Sequence, residues 1–73
     1  MNADAIRGWL DVAEDAFCDG ERKTCEDMLR EAYRAFRAVE PVLSVRDRRE
    51  CWGTIQALVR NLNAHVVRPV YPH

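Results

Sequence analysis

The run from Ser44 to Val67 constrains this chain more than any other stretch, because it keeps a helical period from end to end. At about 100° per residue, Leu58, Cys51, Leu62, Ile55, Val66, Val59, Trp52 and Val45 fall on one arc of roughly 140°. That is the pattern of an amphipathic helix with a core-facing stripe. Ser44, the only serine, stands directly in front of it with Asp47 three residues on. The pair reads as a short-armed capping box, in which each side chain satisfies an orphan amide of the first turn. A helix over 45–67 follows, and the rest of the chain must cover its apolar face.

Two more helices are available to do so. From Ala3 to Asp19, the residues Ile6, Trp9, Leu10, Ala13, Ala16 and Phe17 recur at three- and four-residue spacing, with Ala5 and Val12 widening one edge. Gly20 then stands where a left-handed residue closes a helix. Beyond it, Cys25, Met28, Leu29, Ala32, Ala35, Phe36 and Val39 share a face, with Tyr33 at its margin. This second helix begins between Glu21 and Cys25, with Thr24 and Asp27 as one cap-and-box pair and Asp19 as an earlier cap. Pro41 ends it, because proline disfavours helix at Glu40 and lacks the amide needed to continue.

Helices at about 3–19, 22–40 and 45–67, joined by connectors this short, predict an all-α, antiparallel three-helix bundle running up, down and up. The alternative is that the first helix swings away and the chain folds as an intertwined dimer. Residues 1–67 form one helical domain. Residues 68–73, with Pro69 and Pro72 and no period, form an extended tail.

Size limits what this core can do. A domain of 73 residues buries only about 60% of the surface its unfolded chain exposes, so its net stability is a few kcal/mol and a partner chain is a standing expectation. With 48% hydrophobic and 32% charged residues, the chain belongs with folded proteins and not with disordered ones. No apolar run approaches the ~20 residues that span a bilayer, and no apolar leader precedes the three cysteines, an odd number that cannot all pair. The expected compartment is the cytoplasm.

Net charge is −1, which argues against an obligate nucleic-acid binder, but the charge is unevenly spread. Residues 1–21 carry six acids and one base, whereas residues 22–73 carry ten bases and six acids. On the first helix Asp4, Asp11 and Asp15 line up outside the apolar stripe. Asp15 and Asp19 oppose the dipole at its carboxyl end, so either Asp19 begins the next turn or a basic partner meets this face. On the second helix Lys23, Arg30, Arg34 and Arg37 form a basic face, partly offset by Glu26, Asp27 and Glu31.

Residues fit for catalysis are few. Ser44 is accounted for as a cap, His65 lies at the edge of the stripe near the end of the third helix, and His73 is terminal. Asp11 and Asp15 resemble an acid–base pair only in spacing, since catalytic carboxylates need a cleft that separates their pKa values. Cys18, Cys25 and Cys51 lack the paired spacing of a structural zinc site, and Cys51 falls near the opposite end of the bundle from the other two. Cys25 and Cys51 belong to core stripes, leaving Cys18 as the exposed thiol. Gly8, Gly20 and Gly53 are isolated, so no phosphate-cradling loop is present. No enzyme activity, cofactor, metal or small-molecule substrate is expected.

What remains are surfaces for contact. Gly53, Ala57 and Ala64 line up with Arg46 and Arg60 as a low ridge where another helix could approach, and a helical glycine costs about 1 kcal/mol against alanine. The expected function is a non-enzymatic module that docks onto a larger protein, as an inhibitor, adaptor or regulator. Its contact residues are expected among Asp11, Asp15, Arg30, Arg34, Arg37, Arg46, Arg49, Gly53, Ala57 and Arg60. Small inhibitors carried by phages and other mobile elements, those that block CRISPR systems among them, have this size and plainness, an analogy of type only. Self-association as a homodimer, with the glycine ridge as its seam, is a separate expectation. The alternative function is a nucleic-acid-binding regulator using the basic face of the second helix with Arg46, Arg48 and Arg49. Against it, a proline occupies the connector, and Asp47 and Glu50 interrupt the arginines.

Overall fold

A computed structural model describes the backbone of residues 3–67 and the side chains of residues 3–64. The expected tail at 68–73, and the side chains of His65 and Val66, lie outside the described residues. Three helices form: α1 (Ala3–Cys18), α2 (Arg22–Val39) and α3 (Val45–Val67), with one 3-10 turn (Glu40–Val42) between the second and third. The all-α bundle read from the sequence is what the chain adopts.

Gly20 closes α1 as its position implies. Its φ of 79° lets the Glu21 amide donate to the Ala16 carbonyl at 2.8 Å and its own amide to the Phe17 carbonyl at 3.2 Å. These are the two bonds of a Schellman cap, and they turn the chain within Asp19 to Glu21. The start of α2 corrects both caps named for it. Helix begins at Arg22, so Thr24 lies within its first turn, and the N-cap position is Glu21, whose side chain makes no capping bond. Asp19 ends α1 and does not begin α2. The chain turns so tightly at Gly20 that the helix starts at once, and the Cys25 amide donates to the Glu21 carbonyl at 2.9 Å.

At the second connector Pro41 sits in the 3-10 turn, and the Leu43 amide donates to the Glu40 carbonyl at 3.2 Å. Leu43 itself is buried, tying the connector to the core. Ser44 caps α3: its Oγ accepts the Asp47 amide at 3.1 Å. The Asp47 carboxylate, assigned to the same exchange, accepts instead from Arg7 of α1 at 2.9 Å.

One core joins the three helices. Ile6, Leu10 and Ala13 from α1, Cys25, Leu29, Ala32 and Phe36 from α2, and Cys51, Ile55, Leu58 and Leu62 from α3 are all buried in a single cluster. Two polar clamps set the direction of α3. At one end Arg7 bridges Asp47 and Glu50, at 2.9 and 2.6 Å. At the other, Arg22 donates to the Leu62 carbonyl at 3.0 Å. The start of α3 therefore lies beside the start of α1, and the start of α2 beside the far half of α3, which is the up-down-up order. Since α1 packs on α2 within one chain, the intertwined alternative is not needed to fill the core.

The wide arc on α3 does not go to the core as a whole. Leu58, Cys51, Leu62 and Ile55 are buried, but Trp52 (39%), Val59 (41%) and Val45 (60%) remain exposed. On α1 the same happens to the edge formed by Ala5, Trp9 and Val12, where Val12 is 47% exposed. A helix in a three-helix bundle has two neighbours and one open side. Its apolar arc is covered only where those neighbours reach.

Candidate docking surface

The uncovered half of the α3 arc faces the open side of the α2/α3 seam. There Leu29, Ile55 and Leu62 floor a groove of about 720 Å³. Tyr33, Trp52 and Val59 form its walls, and Glu26, Arg30, Gln56 and Arg60 its polar rim. Helical spacing builds it: Trp52, Ile55 and Val59 fall three and four residues apart on one side of α3, as do Glu26, Leu29, Arg30 and Tyr33 on α2.

The walls are held in place by ring packing. Trp52 stacks on the buried Phe36, ring centres 5.8 Å apart and planes 18° from parallel, and meets Tyr33 at 6.1 Å with a 39° tilt. Arg37 fixes Tyr33 in turn by donating to its hydroxyl at 2.9 Å, with its guanidinium carbon 5.8 Å from the ring centre. The hydrogen bond to that hydroxyl leads in raising the Arg37 pKa further, and the Glu40 carboxylate adds to it. Exposed aromatics pinned by a buried ring lose little rotamer freedom on binding, which favours their use as anchors.

Beyond the Tyr33–Trp52 pair a second hollow of about 460 Å³ continues the groove, lined by the same two rings with Phe36, Arg37, Glu40, Arg48 and Arg49. Arg48 donates to the Leu43 carbonyl at 3.1 Å, and its Nε is buried without a hydrogen-bond partner among the described residues.

The residues picked out from the sequence fall in three places. Arg30 and Arg60 are on the groove rim and Arg37 and Arg49 in the second hollow, so the fold brings four of them to one face. Arg34 and Arg46 are exposed and paired along their own helices, with Glu31 at 3.1 Å and Glu50 at 3.6 Å. Asp11 and Asp15 lie on α1, apart from this face. Gly53 is exposed, with nothing within 4 Å of where a Cβ would stand, and Ala57 is half-buried. No known protein family, curated protein or solved structure matches the chain. Tyr33, Trp52 and Val59 are absent from the contact residues expected on sequence grounds. Their signal is present as an apolar arc too wide for two neighbours, but a helical wheel does not say which margin is left over.

Most of the basic face of α2 is neutralised locally. Asp27 pairs with Lys23 at 3.0 Å and Arg30 at 3.3 Å, and Arg37 lies 3.7 Å from Glu40. The Lys23 hydrogen bond leads in holding the Asp27 carboxyl below its usual range. Arg49 and Arg60, by contrast, have no carboxylate partner among the described residues. Burial raises the pKa of the Cys25 and Cys51 thiols, which keeps them protonated and unreactive. Among the described residues no His, Cys, Asp and Glu side chains gather as they would around a metal ion, and no helix is long and apolar enough to cross a membrane.

Proposed function

We propose that this chain is a non-enzymatic cytoplasmic docking module that grips another protein in the α2/α3 groove, as an inhibitor, adaptor or regulator. One observation carries the reading. Tyr33, Trp52 and Val59 stand exposed side by side above an apolar floor, braced by Phe36, in a chain with little apolar surface to spare for its core. Contiguous apolar surface with a polar rim is what marks an interaction site on a small protein. The arginines around it steer an acidic partner and fix its register more than they add affinity. A nucleic-acid role draws less support, since Arg30, Arg34, Arg37 and Arg46 already hold carboxylates of their own helices or connector.

The test compares the wild-type chain with a groove variant, Val59→Glu/Arg60→Glu, and a ridge variant, Gly53→Leu. All three are presented to the native cell extract and to an apolar fluorescent dye. A specific protein ligand and dye binding, both lost in the groove variant and kept in the ridge variant, is the expected result. Equal recovery on all three, or micromolar binding to duplex DNA that falls steeply with salt, refutes the reading.

A further inference from the structure

The chain has a second exposed apolar strip, and its charges are the opposite of those around the groove. On α1, Trp9 (39% exposed) and Val12 (47% exposed) lie three residues apart on the edge away from Arg7 and Glu14, which turn toward α3. Asp15 and Asp19 continue that outer face, whereas Asp11 lies with Arg7 and Glu14 on the α3 side, and none of the three aspartates has a cationic partner among the described residues. The helix gains nothing from them locally. Asp15 is in the last turn of α1, which contains no basic residue, and Asp19 ends the helix without capping the next one. Carboxylates at a helix C-terminus are mildly unfavourable in the isolated chain. A basic surface arriving there would reverse that sign.

Such a surface is present on the same molecule. Arg49 and Arg60 flank the groove and its second hollow without carboxylate partners among the described residues, and the groove between them has an apolar floor. The two faces cannot meet within one chain, because the strip is on the α1 side of α2 and the groove on the α3 side. We propose that the groove takes α1 of a second copy, with Trp9 and Val12 entering between Tyr33, Trp52 and Val59, and Asp15 and Asp19 set against the free arginines. This rests on reading the groove as a docking surface and names its occupant. Because the two contacting faces lie on different sides of the bundle, so that one partner does not engage both at once, the association is head to tail. Every added copy presents a fresh groove, so assembly runs on to short chains or closes as a ring, and does not stop at a two-fold dimer. Any other protein that uses the groove competes with it.

Sedimentation equilibrium tests this with two variants confined to exposed positions, Val12→Arg/Asp15→Lys on α1 and Val59→Glu/Arg60→Glu in the groove, each checked for native helicity. Wild-type mass is expected to rise above the 8.5 kDa monomer across about 10 µM to 1 mM, a range suited to a small interface, and to fall back as salt is raised. Each variant alone is expected to stay monomeric. An equimolar mixture should recover association and stop at twice the monomer mass, since it retains one intact strip and one intact groove. A wild-type chain that stays monomeric throughout overturns the inference, as does a mixture no heavier than its components. So does a dimer that survives the α1 substitutions and is lost only with the groove, although that outcome supports the groove as a docking surface. Dye binding distinguishes the two failures: a monomer whose groove binds dye, and loses it in the groove variant, sinks only the self-association.

Discussion

One added methyl group should act with opposite sign at two glycines. At Gly53 the backbone is helical and nothing stands within 4 Å of the place a Cβ would take, so alanine neither clashes nor packs. What remains is helix propensity, a gain of about 1 kcal/mol. At Gly20 space is equally open, but φ is 79°, and a left-handed alanine costs roughly 1–2 kcal/mol, offset in part by about 0.4–1 kcal/mol from a stiffer unfolded chain. Gly53→Ala should therefore be stabilised and Gly20→Ala destabilised, the two differing by about 2 kcal/mol. In a domain of this size 1 kcal/mol moves Tm by about 4–8 °C, so the melts should separate by roughly 8–16 °C. Circular dichroism at low micromolar protein measures this without a contribution from association, which would add stability by mass action. If Gly53→Ala melts below wild type, the helix at that point is held in a geometry that alanine disturbs, and the reasoning fails. If the two variants melt together, the positive φ at Gly20 does not persist in solution.

The same position separates two seams: Gly53→Leu should leave self-association unchanged, and a variant made monomeric by it would move the contact to the ridge. Ser44→Ala removes the hydroxyl that holds the Asp47 amide and should lower stability by about 1 kcal/mol in urea titration; no change would mean that water replaces the cap. A thiol reagent should label Cys18 rapidly, and Cys25 and Cys51 only as the chain unfolds, because the latter two are buried and their pKa values raised; more than one fast thiol would contradict the core. The Glu50 carboxyl is held below its usual range, first by its hydrogen bond to Arg7, so the folded state binds this proton less readily than the unfolded chain. Its contribution is present above pH of about 4 and is lost as pH falls through the lowered value. In Arg7→Gln an NMR titration of Glu50 should move back up, and an unmoved titration would remove the ion pair.

The boundaries of the fold are legible in the sequence because local chemistry decides them. Gly20, Pro41 and Ser44 act within a few residues of themselves, and each does what its residue type dictates. The start of α2 misleads for a related reason: Thr24 and Asp27 satisfy a cap pattern, but the turn at Gly20 delivers the chain into helix before Thr24 can act as one. The Arg7 bridge to Asp47 and Glu50 is invisible at that level, because nothing local relates residues forty positions apart. The charge split between α1 and the later helices suggests attraction between them, yet the ionic contact that forms has an α1 base on α3 acids.

That reversal bears on why Asp11, Asp15 and Asp19 have no cationic partner among the described residues. Arg7 is the only base of α1 and is already committed to Asp4, Asp47 and Glu50, so Asp11 and Asp15, and Asp19 just past its end, find no counter-charge on that helix. Arg46 is drawn toward Glu50, while Arg49, one turn along and off that side, has no carboxylate partner among the described residues and stands at the second hollow. Apolar residues divide in the same way. Cys51, Ile55 and Leu58 go to the core, whereas Trp52 and Val59, next to Cys51 and Leu58 in sequence, go to the groove. A bundle of three helices offers each only two neighbours, so an apolar arc of roughly 140° leaves a margin bare. On α3 that margin adjoins Arg49 and Arg60, and on α1 it adjoins Asp15 and Asp19, all four without an ionic partner among the described residues. It is this pairing of leftovers, neither of which the chain can satisfy alone, that makes a second copy the natural occupant of the groove.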